Sequence, residues 1–173
     1  MRKIVNLSSL VLFMILGVSM SVSAQARKKA DKDTENFRYE IEGVGVGTQG
    51  TYLIKVWSYS KKPVVAIEQA KKNAVHGIIF KGYTGKQGVP GQKALTSNPN
   101  LENEKADFFT DFFADNSKYM KFVSVSGDGS IAAEDRLKVG KEYKVGVVLS
   151  VNVDALRKDL EAAGVIKGLG SGF

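Results

Sequence analysis

TYLIKVWSYSKKPVVAIEQAKKNAVHGIIF, residues 51–80, is the stretch from which the fold can be read. In extended form Tyr52, Ile54 and Val56 fall on one side and Leu53, Trp57 and Tyr59 on the other. Apolar residues on both sides indicate an interior strand, covered on much of both faces. Lys61, Lys62 and Pro63 then break the alternation, and Pro63 suits the first turn of a helix, where its missing N–H has no intrahelical partner to lose. In the helix that follows, Ile67, Ala70, Ala74 and Ile78 recur on one face, and Glu68 and Lys72 lie one turn apart on another. The small alanines allow the helix to sit close to a sheet.

Working outward toward the N-terminus, Phe37, Tyr39 and Ile41 alternate with Arg38, Glu40 and Glu42, the two-residue period of a half-buried strand. Val44 and Val46 have the opposite parity, so a bulge or bend is expected at Gly43. Gly45-x-Gly47-x-x-Gly50 matches the letters of a dinucleotide fingerprint. A strand rather than a helix follows it, so no amide row or helix dipole meets a phosphate, and the glycines read as a hairpin connection.

In the other direction, residues 82–100, GYTGKQGVPGQKALTSNPN, keep no period and read as a long loop. Long loops in compact domains often carry binding surfaces, and Tyr83, Lys86, Gln92 and Lys93 are the chemically useful side chains of this one. A helix is expected over 104–115, with Phe108, Phe109, Phe112 and Phe113 turned inward. Asp107, Asp111 and Asp115 form a solvated stripe on it, because hard cations prefer ligands wrapped around them by a loop. Residues 119–126 read as a strand, 127–130 as a turn, and 132–140 as an irregular connection or a second hairpin arm. Tyr143, Val145, Val147, Leu149, Val151 and Val153 then alternate without a break, the clearest strand in the chain. Asp154 is the expected N-cap of a short closing helix ended by Gly164.

The expected fold class is therefore α+β. A mostly antiparallel sheet of about four to five strands carries two main helices and a short C-terminal helix.

The chain opens with Arg2 and Lys3, an uncharged apolar run to Met20, and small residues through Ala26. That is the pattern of a secretory signal peptide, 1–26, cleaved after Ala24 or Ala26. A polar, basic leader over 27–36, a single domain over 37–166 and a flexible tail over 167–173 complete the expected organisation. Without cysteine there is neither a lipidation site nor a disulfide. The expected product is exported, periplasmic or extracellular, not lipid-anchored, and without a transmembrane segment once the signal is removed. Loss of Arg2 and Lys3 lowers the net charge from +7 to +5. About 147 residues remain, enough to bury roughly 70% of the unfolded surface without covalent staples.

The alanines at 66, 70 and 74 and the run YKVGVVLSVNVDALRKDL over 143–160, a long strand leading directly into a short helix, resemble the small exported α/β domains of flagellar assembly protein T. Certain outer-membrane lipoproteins of Gram-negative bacteria share the same likeness. The resemblance spans roughly residues 37–163 and implies an envelope-associated, non-catalytic bacterial module. The chain departs from the lipoproteins in having no lipobox cysteine, and no functional residue carries over.

His76 is the only histidine. Alone it suits a structural or surface role better than a metal site or a general base, each of which needs positioned partners. No catalytic set, metal-ligand cluster or cofactor motif is expected. Three functions stay open. The first is a non-enzymatic envelope domain that binds an envelope protein partner or joins an assembly, self-association included. The second is an extracytoplasmic binding module for a small or polymeric ligand, using the 82–100 loop. The third is a hydrolase built on dispersed carboxylates such as Glu40, Glu42 or Asp135. Nucleic acid is not an expected partner of an exported chain.

Overall fold

The computed structural model describes residues 29–30, 37–48, 50–86, 88–114 and 117–168. The expected signal peptide and most of the expected leader and tail lie outside them. Within the leader, Lys29 and Ala30 are helical, and Ala30 is buried beside Val65.

Strand β1, Tyr39–Val46, turns back into β2, Thr51–Ser60, as an antiparallel hairpin. The register slips between Gly43 and Gly45, where the sequence changes parity. Gly47 N–H to Thr51 O at 3.0 Å and Thr51 N–H to Thr48 O at 2.8 Å close the turn. Helix α1, Pro63–Phe80, starts with proline in its first turn. Then come α2, Leu101–Glu104, and α3, Ala106–Phe112, followed by the three-residue strand β3, Val123–Val125. Strand β4, Arg136–Val139, β5, Glu142–Asn152, and helix α4, Val153–Ala162, complete the chain.

The sheet runs β1-β2-β5-β3, with β4 pairing β5 beside β3, and every pairing is antiparallel. The α+β architecture expected from the sequence is thus present. Strands β2 and β5 are central, matched from Thr51 opposite Asn152 to Ser60 opposite Tyr143. Their inward residues Ile54, Val56, Val145, Val147, Leu149 and Val151 are essentially inaccessible, as are Ala66, Ala70, Ala74 and Ile78 of α1. Phe109, Phe112, Tyr119, Phe122, Leu156 and Leu160 extend this one core. Fully burying a side chain of this size stabilises by about 1.5–3 kcal/mol, so the helix-bearing side of the sheet dominates stability.

Several local expectations change. The single helix expected over 104–115 is divided at Lys105, whose φ of −119° and ψ of 36° leave helical geometry. Residues 118–122 form a 3-10 turn instead of strand; its near-threefold repeat brings Tyr119 and Phe122 onto one buried face. Asn152, not Asp154, caps α4, accepting from Ala155 N–H at 2.9 Å. Of the two readings open for 132–140, the hairpin arm is the one formed, as β4, turning through Gly140 and Lys141 into β5. Glu68 also forms an ion pair with Lys71, at 3.1 Å on the same helix.

Candidate functional site

The 82–100 loop is more ordered than its composition implies. Tyr83 N–H donates to Gln92 O at 2.8 Å and Gln92 N–H returns the bond at 3.0 Å, while Lys86 and Val89 exchange a second pair. The strip thus doubles back as a small hairpin. Further on, Leu95 N–H and Thr96 N–H donate to Ile78 O and Ile79 O, meeting carbonyls that the last turn of α1 leaves without intrahelical donors.

Of the four side chains singled out in that loop, two face the sheet. Tyr83 is buried, and its ring lies so close to Gly43 that a Cβ there would stand 2.5 Å from it. Burial, with Tyr52 nearby, pushes its hydroxyl up to about 12. Lys86 donates to Glu42 Oε2 at 2.7 Å. Gln92 folds back on the Lys93 carbonyl at 2.7 Å, and Lys93 is exposed. A cleft of about 470 Å³ lies between residues 95–98 and 165–167, and none of the four lines it. The loop fastens to β1 and caps α1 instead of bringing its useful side chains together.

The side of the sheet opposite α1 carries a set of paired charges among the described residues. Lys144 donates to both Glu40 oxygens at 2.7 and 2.8 Å, and Tyr59 O–H donates to Glu40 at 2.8 Å. The Lys144 contact, then that of Tyr59, holds the Glu40 carboxyl below the usual range. Glu42 is held down likewise by Lys86 and by Trp57 Nε1–H, which donates at 3.1 Å. Lys55 donates to both oxygens of Asp135 at 2.8 and 3.0 Å, and Arg38 reaches Glu142 at 2.6 Å. Cations also lie over the rings: Arg38 is 4.1 Å from the Tyr59 centroid, and Lys144 is 5.1 Å from that of Trp57. Gly146 makes room for Trp57, since a Cβ there would stand 2.9 Å from the indole. The three carboxylates considered for hydrolysis are therefore distributed over separate lysine pairs.

This side ends at β4, which is exposed along its whole length. Leu137 and Val139 are 45% and 49% exposed. Among the described residues β4 pairs only with β5, so one of its backbone edges is open.

His76 belongs to a different construction. It is 5% exposed, between Tyr39 O–H at 2.7 Å from Nδ1 and Glu102 Oε2 at 3.3 Å from Nε2. An ionised Glu102 only accepts, so Nε2 carries the proton and Nδ1 accepts from Tyr39. Phe37 stacks on the imidazole with centroids 3.6 Å apart and planes at 14°, while Phe80 and Phe113 pack around it. Burial, then the Lys81 charge, lowers His76 to about 3. Burial raises both Tyr39 and Glu102. The result is a clamp that joins β1, α1 and α2 through a neutral imidazole.

No family model matches this chain, and no curated protein or solved structure matches it.

Among the described residues no group of three or more His, Cys, Asp or Glu side chains could hold a metal ion. Asp107 and Asp111 are exposed on α3, and Asp115 lies outside the described residues. No described helix is long and apolar enough to cross a membrane. The β4 edge is the part of the molecule that the sequence left open between a connection and a hairpin arm. Its signal was the alternation Arg-Leu-Lys-Val before Gly140, too short to be told from a connection.

Proposed function

We propose that this chain is an exported, non-enzymatic domain of the cell envelope that acts by binding another protein. The observation that carries this reading is strand β4, unpaired along one edge among the described residues, with exposed Leu137 and Val139 on the sheet face that carries the paired charges. Exposed apolar residues on an unpaired strand are a recognised mode of protein docking. The amino-terminal pattern of Arg2, Lys3, an apolar run and small residues supports the exported part of this reading. Tyr83 is buried and Lys86 paired, which favours this reading over a ligand-binding loop. The separate lysine partners of Glu40, Glu42 and Asp135 favour it over a hydrolase, whose acid and base must converge on one bond.

Cross-linking in intact cells, followed by fractionation and mass identification, tests the proposal. The expected result is one discrete envelope protein joined to the mature chain. A chain recovered in the cytoplasmic fraction, or exported but never joined to another protein, would overturn it.

A further inference from the structure

Among the described residues β4 has one unpaired edge, and its side chains specify what fits there. Its pairing with β5 sets Leu137 opposite Lys144 and Val139 opposite Glu142, while Arg136 and Lys138 lie opposite Val145 and Tyr143. Directly opposed residues share a face, so Leu137 and Val139 point to the side of Lys144 and the two basic residues to the other. Only Gly140 and Lys141 separate β4 from β5. In a hairpin closed by two residues, the flanking pair, here Val139 and Glu142, exchanges both backbone bonds. Alternation then turns the N–H and C=O of Arg136 and Lys138 to the open side. Both basic side chains are exposed, and neither has an acidic partner among the described residues.

The other edges are less receptive. β1 is interrupted by the slip at Gly43, and the 82–100 hairpin rests on it through Tyr83 and through Lys86 with Glu42. β3 has only three residues.

We infer that β4 takes up an extended segment of a partner protein as an added antiparallel strand, one in which acidic residues alternate with apolar ones. The acidic residues stand opposite Arg136 and Lys138, and the apolar ones opposite Leu137 and Val139. Opposite charges across a strand pair attract, and like charges directly opposed repel. The same rule disfavours a second copy as the occupant. Antiparallel pairing of two β4 strands with their sheet faces continuous sets the basic residues of one copy against those of the other. The two cations that guard the edge against self-association thus select the partner.

This inference rests on the protein-binding reading above, and its test separates the two. The full mature chain, isotopically labelled, is titrated with a synthetic peptide of alternating Glu and Val and, separately, with its Lys and Val counterpart. The acidic peptide is expected to shift the amide signals of β4, those of Arg136 and Lys138 foremost, and to bind more weakly as salt rises. The basic peptide leaves them unmoved. Lys138→Gln keeps the backbone donor and removes the charge, weakening binding by up to about fivefold. Lys138→Pro removes an outward N–H that no ladder bond uses, so the fold persists while binding falls by about tenfold or more.

Equal binding of both peptides, shifts mapping away from β4, or unchanged binding by a folded Lys138→Pro chain would each overturn the inference. If the acidic peptide leaves β4 unmoved while the chain joins an envelope protein through another surface, the edge inference falls and the protein-binding reading stands. If the peptide binds β4 but the chain joins nothing in cells, the edge chemistry is supported and the protein-binding reading falls.

Discussion

Ile54, Val56, Ser58 and Ser60 turn from β2 into the core and are almost inaccessible, whereas Lys55, Trp57 and Tyr59, one residue out of phase, face the other way among ion pairs and cation–π contacts. One ten-residue strand therefore borders two kinds of packing. On the helix side, side chains interlock and every removed methylene leaves a void. On the open side, charges are paired in contact with water, where screening and side-chain entropy offset most of the attraction. Stability accordingly resides beneath α1, and the opposite side is left free to change without loss of fold.

The largest effect that could break this contrast is a cavity on the helix side. Leu149→Ala should lower the unfolding free energy by about 2–5 kcal/mol, read from urea denaturation. A loss below about 1 kcal/mol would mean that the inward face of β5 is not the core.

The His76 clamp gives the next effect, and it depends on pH. In the unfolded chain the imidazole protonates near pH 6.5, whereas in the folded chain it does so only at about 3. The unfolded state therefore binds the extra proton inside that window. The stability supplied by neutral His76 is fully present above pH 6.5 and is lost as pH falls, by up to about 1.4 kcal/mol per unit. Between pH 6.5 and 5 the wild type should lose about 2 kcal/mol, and His76→Gln should lose much less. Glu102 works in the opposite sense, since its raised pKa lets the folded state take up a proton first. Equal pH slopes for the two proteins would show that His76 is not buried as a neutral ring.

The smallest effect belongs to the open side. Lys144→Met removes the cation that meets Glu40 and lies over Trp57 and Tyr59, yet Glu40 is largely exposed. The expected change is within about 1 kcal/mol, diminishing further in high salt. A loss as large as that of Leu149→Ala would erase the distinction between the two sides.

The helix side was the more legible in sequence, because hydrophobic periodicity is a local signal. The unbroken alternation of Tyr143 to Val153 marks β5, Pro63 marks the start of α1, and the parity change at Gly43 marks the bulge. What sequence did not carry was built from distant residues. Tyr39 and Glu102 lie 37 and 26 positions from His76, so no motif could assemble the clamp. The 3-10 turn at 118–122 was hidden because its residues also suit a strand, and packing decided between them. The 82–100 segment looked irregular because its hairpin rests on backbone bonds and on the contact of Tyr83 with Gly43, neither of which leaves a periodic trace. Hence the four loop residues chosen for their chemistry did not converge, while at β4, four residues long, the sequence left a connection and a hairpin arm equally open.

The division of labour between the two sides is tested most directly by a photo-cross-linking amino acid placed in intact cells at position 137 on β4 and, separately, at position 107 on the exposed stripe of α3. A discrete adduct to one envelope protein from position 137, with none from position 107, is the predicted result. Adducts from position 107 alone would contradict it and move recognition to the helical side.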